Sequence, residues 1–325
     1  MMNKKNTLIG ILLIVMAGVV LIKLSKQPTA KQPVSPGDYA FSIEHDDLTR
    51  TYKVHVPPSY DKNVKTPVVI YTHGGGGNSE TAYIDGMDKA SDELGFILVA
   101  PESMKIRIDG RFSTRWNGGK WQGGECCGTA DDVGFISKMI DEIEKKFNVD
   151  EDRVYATGIS NGGLMTNRLA CELSDKIAAV ATVAPAAIPQ NCTPSRPISV
   201  MDIHGTADPC NPFDGGEPTL GFCARLPYKR MSPKEVVDSW LKINSCSADF
   251  ITVYKKRNAT CISYRQCKNG AEVEFCKIEG MGHTWPSGSQ YLPAYLVGPV
   301  SYDISFEQMW EFFKKHPLTY LRKRR

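Results

Sequence analysis

The sequence predicts an α/β architecture, a mostly parallel sheet with helices on both faces. Two observations carry that expectation. Short, almost wholly apolar runs such as 67–72 (PVVIYT) and 96–100 (FILVA) alternate with longer amphipathic stretches over most of the chain, and strand, helix, strand is the unit of a parallel sheet. A glycine-flanked serine, Gly158-Ile159-Ser160-Asn161-Gly162, stands where one such run gives way to a helical pattern.

Residues 7–22 are an unbroken apolar or small stretch between Lys4-Lys5 and Lys23, the layout of an export signal. As a helix it spans roughly 24 Å, short of the roughly 30 Å hydrocarbon core. No small-x-small cleavage site follows Ile22, so residues 1–23 are expected to be an export signal or an uncleaved membrane anchor. Residues 24–37, rich in Pro, Lys, Ser and Gln, read as a linker. The remainder, 38–325, reads as one catalytic domain.

That domain opens on two alternating runs, 39–44 and 50–56, expected to pair as an antiparallel hairpin. After the strand at 67–72 come glycines, a helical stretch over 80–94 and the strand at 96–100. Residues 132–147 place Val133, Ile136, Met139, Ile140, Ile143 and Phe147 on one helical face, with Lys138, Asp141, Glu142, Lys145 and Lys146 opposite. Strands follow at 153–157, 177–183 and 198–203, and helices at 161–173, 233–243 and 305–315. Runs 260–267 and 272–278 meet at Asn269-Gly270, a hairpin turn signal.

The chain carries a formal charge of +3, but five lysines and no acids lie in the first 31 residues, which leaves 34 basic against 36 acidic residues beyond them. Four more positive charges form the end, Arg322-Lys323-Arg324-Arg325. The folded body is therefore slightly acidic, and no clustered basic face predicts nucleic-acid binding. All ten cysteines lie between Cys126 and Cys276 without zinc-site spacing, so disulfides in an oxidising compartment are expected and neither a metal nor a cofactor is called for. The expected pairs are Cys261 with Cys276 across the late hairpin, Cys171 with Cys192, Cys210 with Cys223, and Cys246 with Cys267. Adjacent Cys126 and Cys127 are left over.

Gly-x-Ser-x-Gly at a strand-to-helix turn is the pattern of a nucleophile elbow, with Ser160 as nucleophile. Its hydroxyl needs a base, and the base an orienting acid. His45 and His55 fall in the opening hairpin and His316 in a charged tail, which reads as surface. His73 and His204 end buried strands and precede glycine, which suits structural work. His283 sits in a glycine-flanked loop after the last strand, where an imidazole can reach a serine. For the acid, Asp202 lies inside a strand, whereas Asp208 lies beyond its carboxyl end, where open parallel sheets place ligand sites. Asp131 and Asp132 begin a helix and read as caps. The order Ser160, Asp208, His283 is that of the α/β-hydrolase fold. The run His73-Gly74-Gly75-Gly76-Gly77-Asn78 suits an oxyanion loop, with one donor from the Asn161 N–H and the other from Gly75 or Gly76.

Taken with Arg115-Trp116-Asn117-Gly118, Gly124-Glu125-Cys126-Cys127-Gly128, Asp131-Asp132-Val133-Gly134-Phe135 and His283-Thr284-Trp285-Pro286, these motifs resemble the polyhydroxybutyrate depolymerase and feruloyl esterase-like family of exported α/β-hydrolases. The resemblance implies a serine esterase working outside the cytoplasm on hydroxyalkanoate oligomers or on feruloyl or acetyl esters of polysaccharide. It implies substrate contacts from Trp285 and Trp116, with packing beneath the histidine loop as the alternative for Trp285. No separate surface-binding domain fits in the length, so insoluble polyester is not the first choice. Residues 209–229 read as an insertion that caps the site. A monomer is expected. A serine peptidase of the same fold and a catalytically silent, surface-anchored binding protein remain the rival readings.

Overall fold

The computed structural model describes residues 35–108, 110–121, 124–221, 223 and 229–318. The segment read as signal or anchor, most of the linker and the basic C-terminal end lie outside them. Among the described residues no helix is long and apolar enough to cross a membrane.

Strands β1 (Gly37–His45) and β2 (Leu48–Val56) form the expected antiparallel hairpin. Its two-residue turn is Asp46-Asp47, both at positive φ, the pairing that matches strand twist. β3 (Thr66–Thr72) and β4 (Ile97–Pro101) flank α1 (Thr81–Ile84) and α2 (Met87–Leu94). The single helix expected over 80–94 is thus two, because Gly86 adopts φ 77° and breaks the helical path. Two short ribbons follow, β5 (Met104–Ile108) with β6 (Arg111–Arg115), and β7 (Gly119–Trp121) with β8 (Gly124–Cys126). Then come α3 (Asp132–Lys146), β9 (Val149–Ile159), α4 (Asn161–Glu172), β10 (Ala179–Val183) and β11 (Ser199–Gly205). The chain continues through α5 (Pro233–Ile243), β12 (Ile251–Lys256), β13 (Ala259–Tyr264), β14 (Val273–Ile278), α6 (Ala294–Val297) and α7 (Phe306–Lys314).

Ten strands make one sheet in the order β1-β2-β4-β3-β9-β10-β11-β14-β13-β12. The six from β4 to β14 run parallel, and antiparallel pairs close both edges. Every residue of β3, β4, β10 and β11 is buried, as a strand covered on both faces requires. Alternation still sorts their side chains. Val68 and Ile70 pack with α3 residues Ile136, Met139, Ile140 and Ile143 on one face, while Val69 and Tyr71 pack with α7 residues Met309, Phe312 and Phe313 on the other.

The predicted apolar face of α3 is buried throughout, Phe135 with it. Asp131 caps this helix by accepting the Gly134 N–H, and Lys145 and Lys146 stand in its last turn, where cations complement the dipole. Asp132 does other work than capping: it is buried against Arg50 at 2.6 Å and accepts the Asn117 N–H at 2.7 Å. His316 is also not a surface residue. Its Nδ1 meets the Phe312 carbonyl at 2.8 Å and its Nε2 lies 3.1 Å from Glu272.

Five disulfides form: the four expected pairs and a fifth between Cys126 and Cys127. Such cross-linking belongs to an oxidising compartment. Cys261 and Cys276 are direct partners across β13 and β14, although the connection is wider than a two-residue turn. Asn269 and Gly270 hold positive φ within a short turn of 3-10 helix.

Candidate active site

The sheet delivers its functional groups at one edge, beyond the carboxyl ends of β3, β9, β11 and β14. Ser160 occupies the turn from β9 into α4 with φ 60° and ψ −120°, a conformation costly for a residue with a side chain and typical of functional strain. Its backbone is held by an N–H bond to the Val183 carbonyl at 2.9 Å. The flanking glycines are obligatory. A Cβ at Gly162 would lie 2.0 Å from the Thr72 carbonyl oxygen, and one at Gly158 2.1 Å from Thr72 Oγ1. Thr72 ties the turn together, donating toward the Thr157 and Gly162 carbonyls at 3.1 and 2.8 Å and meeting Thr166 Oγ1 at 2.9 Å.

His283 Nδ1 lies 2.7 Å from Asp208 Oδ2. Asp208 Oδ1 accepts the Cys210 and Asn211 N–H groups, each at 2.8 Å, so both carboxylate oxygens are engaged and the group cannot rotate. Burial pushes the Asp208 carboxyl up, but the charge and hydrogen bond of His283, the charge of His204 and the Asn211 N–H outweigh it and hold the carboxyl below its ordinary value. Asp208 is therefore an anion at neutral pH. Asp202 is a different kind of acid. It is buried within β11, accepts the Thr182 hydroxyl at 2.8 Å, and burial raises it to about 7.

Ser160 and His283 line one cavity of about 150 Å³ together with Gly74, Gly75 and Asn161. With Nδ1 committed to Asp208, the His283 Nε2 is the nitrogen left for the serine. Gly76 does not serve as an oxyanion donor, because its N–H is spent on the Thr114 carbonyl at 2.8 Å. The Gly75 and Asn161 N–H groups have no backbone partner among the described residues, and the latter opens α4, where the dipole favours negative charge.

Neither tryptophan reaches the cavity. Trp285 is buried under the histidine loop, edge-on to Tyr71 at 5.2 Å, which is its packing alternative. Trp116 is fully buried, donates from Nε1 to the His73 carbonyl at 2.9 Å and lies against the His73 ring. It staples the glycine loop. The backbone of Trp116 in turn exchanges two bonds with the Asn161 side chain, at 2.8 and 3.1 Å. His73 accepts the Ser103 N–H at 3.3 Å, and His204 meets the Asn211 carbonyl at 2.8 Å; burial holds both imidazoles below their ordinary values. They are structural, as the sequence indicates.

The cavity also gathers residues for which no role was expected: Arg115, Arg230, Ala186, Tyr291, Leu292 and Val297. Cys210 and Cys223 line it too, so the insertion over 209–229 does border the site. Asp208, Cys210 and His283 bring three potential metal-ligand atoms close together, but the Cys210 sulfur is bound to Cys223 and no thiolate remains for an ion.

The chain is 35% identical over 179 residues to Feruloyl esterase B of Piromyces equi, a match covering 53% of this chain and 32% of that protein. It is 32% identical over 309 residues to a protein named "Putative esterase NocK" from Nocardia uniformis subsp. tsuyamanensis, covering 86% of this chain and 83% of the relative. The chain therefore spans about a third of the first of these relatives and most of the second. In three dimensions it resembles acetyl xylan esterase from Aspergillus awamori with a TM-score of 0.55 at 15% identity, over 85% of this chain and 99% of that one. A thermostable esterase matches with a TM-score of 0.53 at 14% identity, over 86% of this chain and 63% of that one. The family model described as "Putative esterase" matches residues 47–247, a span that holds the glycine loop, Ser160 and Asp208, and the chain belongs to that family and has the α/β-hydrolase fold.

Proposed function

We propose that the protein hydrolyses carboxylic esters through an acyl-enzyme on Ser160, within a single catalytic domain over 38–325. The observation that carries the reading is the alignment of Asp208, held by three hydrogen bonds, on His283 Nδ1, with His283 and the strained Ser160 lining one cavity. His283 Nε2 takes the Ser160 proton as Oγ bonds to the ester carbonyl carbon. The carbonyl oxygen becomes an oxyanion that the Gly75 and Asn161 N–H groups receive. As the intermediate collapses, the bond to the leaving alkoxide breaks and His283 hands it the proton. Water then attacks the acyl-enzyme, gives its proton to His283, and the acid departs as Ser160 recovers its hydrogen. Asp208 stays ionised throughout and fixes the imidazole tautomer.

The substrate class that the family relationship favours is a small or oligomeric ester, such as feruloyl or acetyl groups on polysaccharide or hydroxyalkanoate oligomers. Residues 1–23 act as export signal or membrane anchor, and the domain works outside the cytoplasm as a monomer. Purified Ser160→Ala should lose hydrolysis of short aryl esters and labelling by a fluorophosphonate probe. Full activity in that variant refutes the acyl-enzyme reading.

A further inference from the structure

The catalytic cavity is small. At about 150 Å³ it has the volume of about five waters, so an ester of more than a few heavy atoms extends past its mouth. The stretch between His283 and Asp303 stands there. It supplies Tyr291, Leu292 and Val297 to the cavity wall, and over 284–302 it carries no Asp, Glu, Lys or Arg, where the chain's 23% of charged residues would place about four. An uncharged run of this length is ordinary inside a protein, but much of this one faces solvent. Tyr291 is 51% exposed, Leu292 39% and Tyr295 79%. Tyr295 stands on α6 between Leu292 and Val297, both on the cavity wall, so an exposed, uncharged aromatic surface adjoins the cavity, as at binding sites.

The backbone under these rings is pinned. Gln290 staples it from within: Nε2 donates to the Leu292 carbonyl at 2.7 Å and to the Gly298 carbonyl at 3.2 Å, and Oε1 accepts the Val300 N–H at 2.8 Å. The same stretch is bolted to the histidine loop. The Gly282 N–H bonds to the Pro299 carbonyl at 2.9 Å, the His283 N–H to the Val297 carbonyl, and the Ser287 N–H to the Ser301 carbonyl at 2.8 Å. A Cβ at Gly282 would lie 2.1 Å from the Val297 carbonyl oxygen. A group resting on Tyr291 and Tyr295 is thereby held in register with His283.

Continuity with the cavity makes the occupant a part of the substrate itself. A segment without charge offers no partner to a charged polymer, and without basic residues none to an anionic lipid surface. Tyrosine combines an apolar face with a hydroxyl that both donates and accepts. A neutral sugar chain matches both features, with C–H faces and hydroxyls, whereas a polyester offers only carbonyl acceptors along an alkyl backbone. We propose that Tyr291, Leu292 and Tyr295 form a platform for the neutral polysaccharide chain that bears the ester, while the ester itself enters the cavity. The inference rests on the serine-esterase reading above and deepens it by assigning the residues that read the polymer. Binding is non-covalent and leaves the hydrolytic steps unchanged.

The test compares kcat/KM for acetylated or feruloylated arabinoxylan, whichever the wild type hydrolyses, with kcat/KM for the 4-nitrophenyl ester of the same acid. Tyr291→Ala and Tyr295→Ala should each lower the polymer-to-small ratio about fivefold, the scale of one aromatic contact. For Tyr295→Ala the loss should fall on KM for the polymer and not on kcat, as for binding equal in ground and transition states. Tyr295→Trp, which keeps an aromatic face, should restore the ratio, and Phe250→Ala, at an exposed aromatic outside the platform, should leave it unchanged. A ratio taken within one preparation cancels any loss of folded enzyme. As a second measurement, Ser160→Ala protein should be retarded in gels containing ester-free arabinoxylan, and less so with Tyr295→Ala added. A ratio that survives both alanine substitutions, an equal fall in Phe250→Ala, or binding to polyhydroxybutyrate particles without retardation by arabinoxylan overturns the inference. Ser160-dependent hydrolysis of the 4-nitrophenyl esters leaves the esterase reading standing in each of these cases. No Ser160-dependent hydrolysis of any ester overturns both.

Discussion

Asp202 gives the sharpest test of how the two candidate acids differ. It is 1% exposed, its Oδ1 accepts the Thr182 hydroxyl, its Oδ2 has no hydrogen-bond partner among the described residues, and burial raises its pKa to about 7. In the unfolded chain an aspartate titrates near its ordinary value of about 3.9. Between about pH 4 and pH 7 the folded protein therefore holds a proton that the unfolded chain has lost, and stability falls as pH rises through that window. The slope is about 1.4 kcal/mol per pH unit, which over about three units amounts to roughly 4 kcal/mol before it levels off above pH 7. Asp202→Asn keeps the acceptor for Thr182 and removes the titration. Relative to wild type the variant should be near neutral at pH 4.5 and more stable by roughly 4 kcal/mol at pH 8, on the order of 10 °C in Tm. Thermal melts of both proteins across that range, followed by circular dichroism, read the difference directly. An offset independent of pH would refute the argument that burial keeps this acid protonated. So would a loss of ester hydrolysis comparable to that of Asp208→Asn, because it would return Asp202 to the catalytic role that its place within β11 denies it.

Asp208→Asn should leave the fold intact and lower kcat about 10⁴-fold, because an amide facing Nδ1 no longer enforces the tautomer that frees Nε2 to accept a proton; steady-state assays on a short aryl ester decide it. Gly162→Ala should abolish soluble folded protein, since its methyl would stand 2.0 Å from the Thr72 carbonyl oxygen, and normal expression with a native circular dichroism spectrum would contradict the close approach. Replacing Cys261 and Cys276 together by serine removes a link closing 15 residues and should cost about 3 kcal/mol, measured by urea unfolding.

Legibility followed physical constraint. The parallel strands were readable because β3, β4, β10 and β11 are buried on both faces and must be apolar throughout. The ribbons β5 to β8 and the edge strand β12 were not, because much of their surface is exposed and solvent imposes no pattern on it. The proposed triad of Ser160, Asp208 and His283 was open to sequence reasoning because chain order and strand ends restrict where such groups can stand. That β6 takes up the Gly76 N–H through the Thr114 carbonyl was hidden, since the contact joins segments that share no pattern. The tryptophans failed for a related reason: an aromatic beside a catalytic loop has the same sequence signature whether it lines the pocket or supports the loop from beneath. Trp116 and Trp285 do the latter. Arg230 was least readable. It reaches the cavity because the insertion pairs Gly216 with Arg230 and closes the Cys210–Cys223 disulfide. The cavity wall thus draws on the part of the chain where sequence pattern constrains structure least, while Ser160, Asp208 and His283 stand where pattern constrains it most.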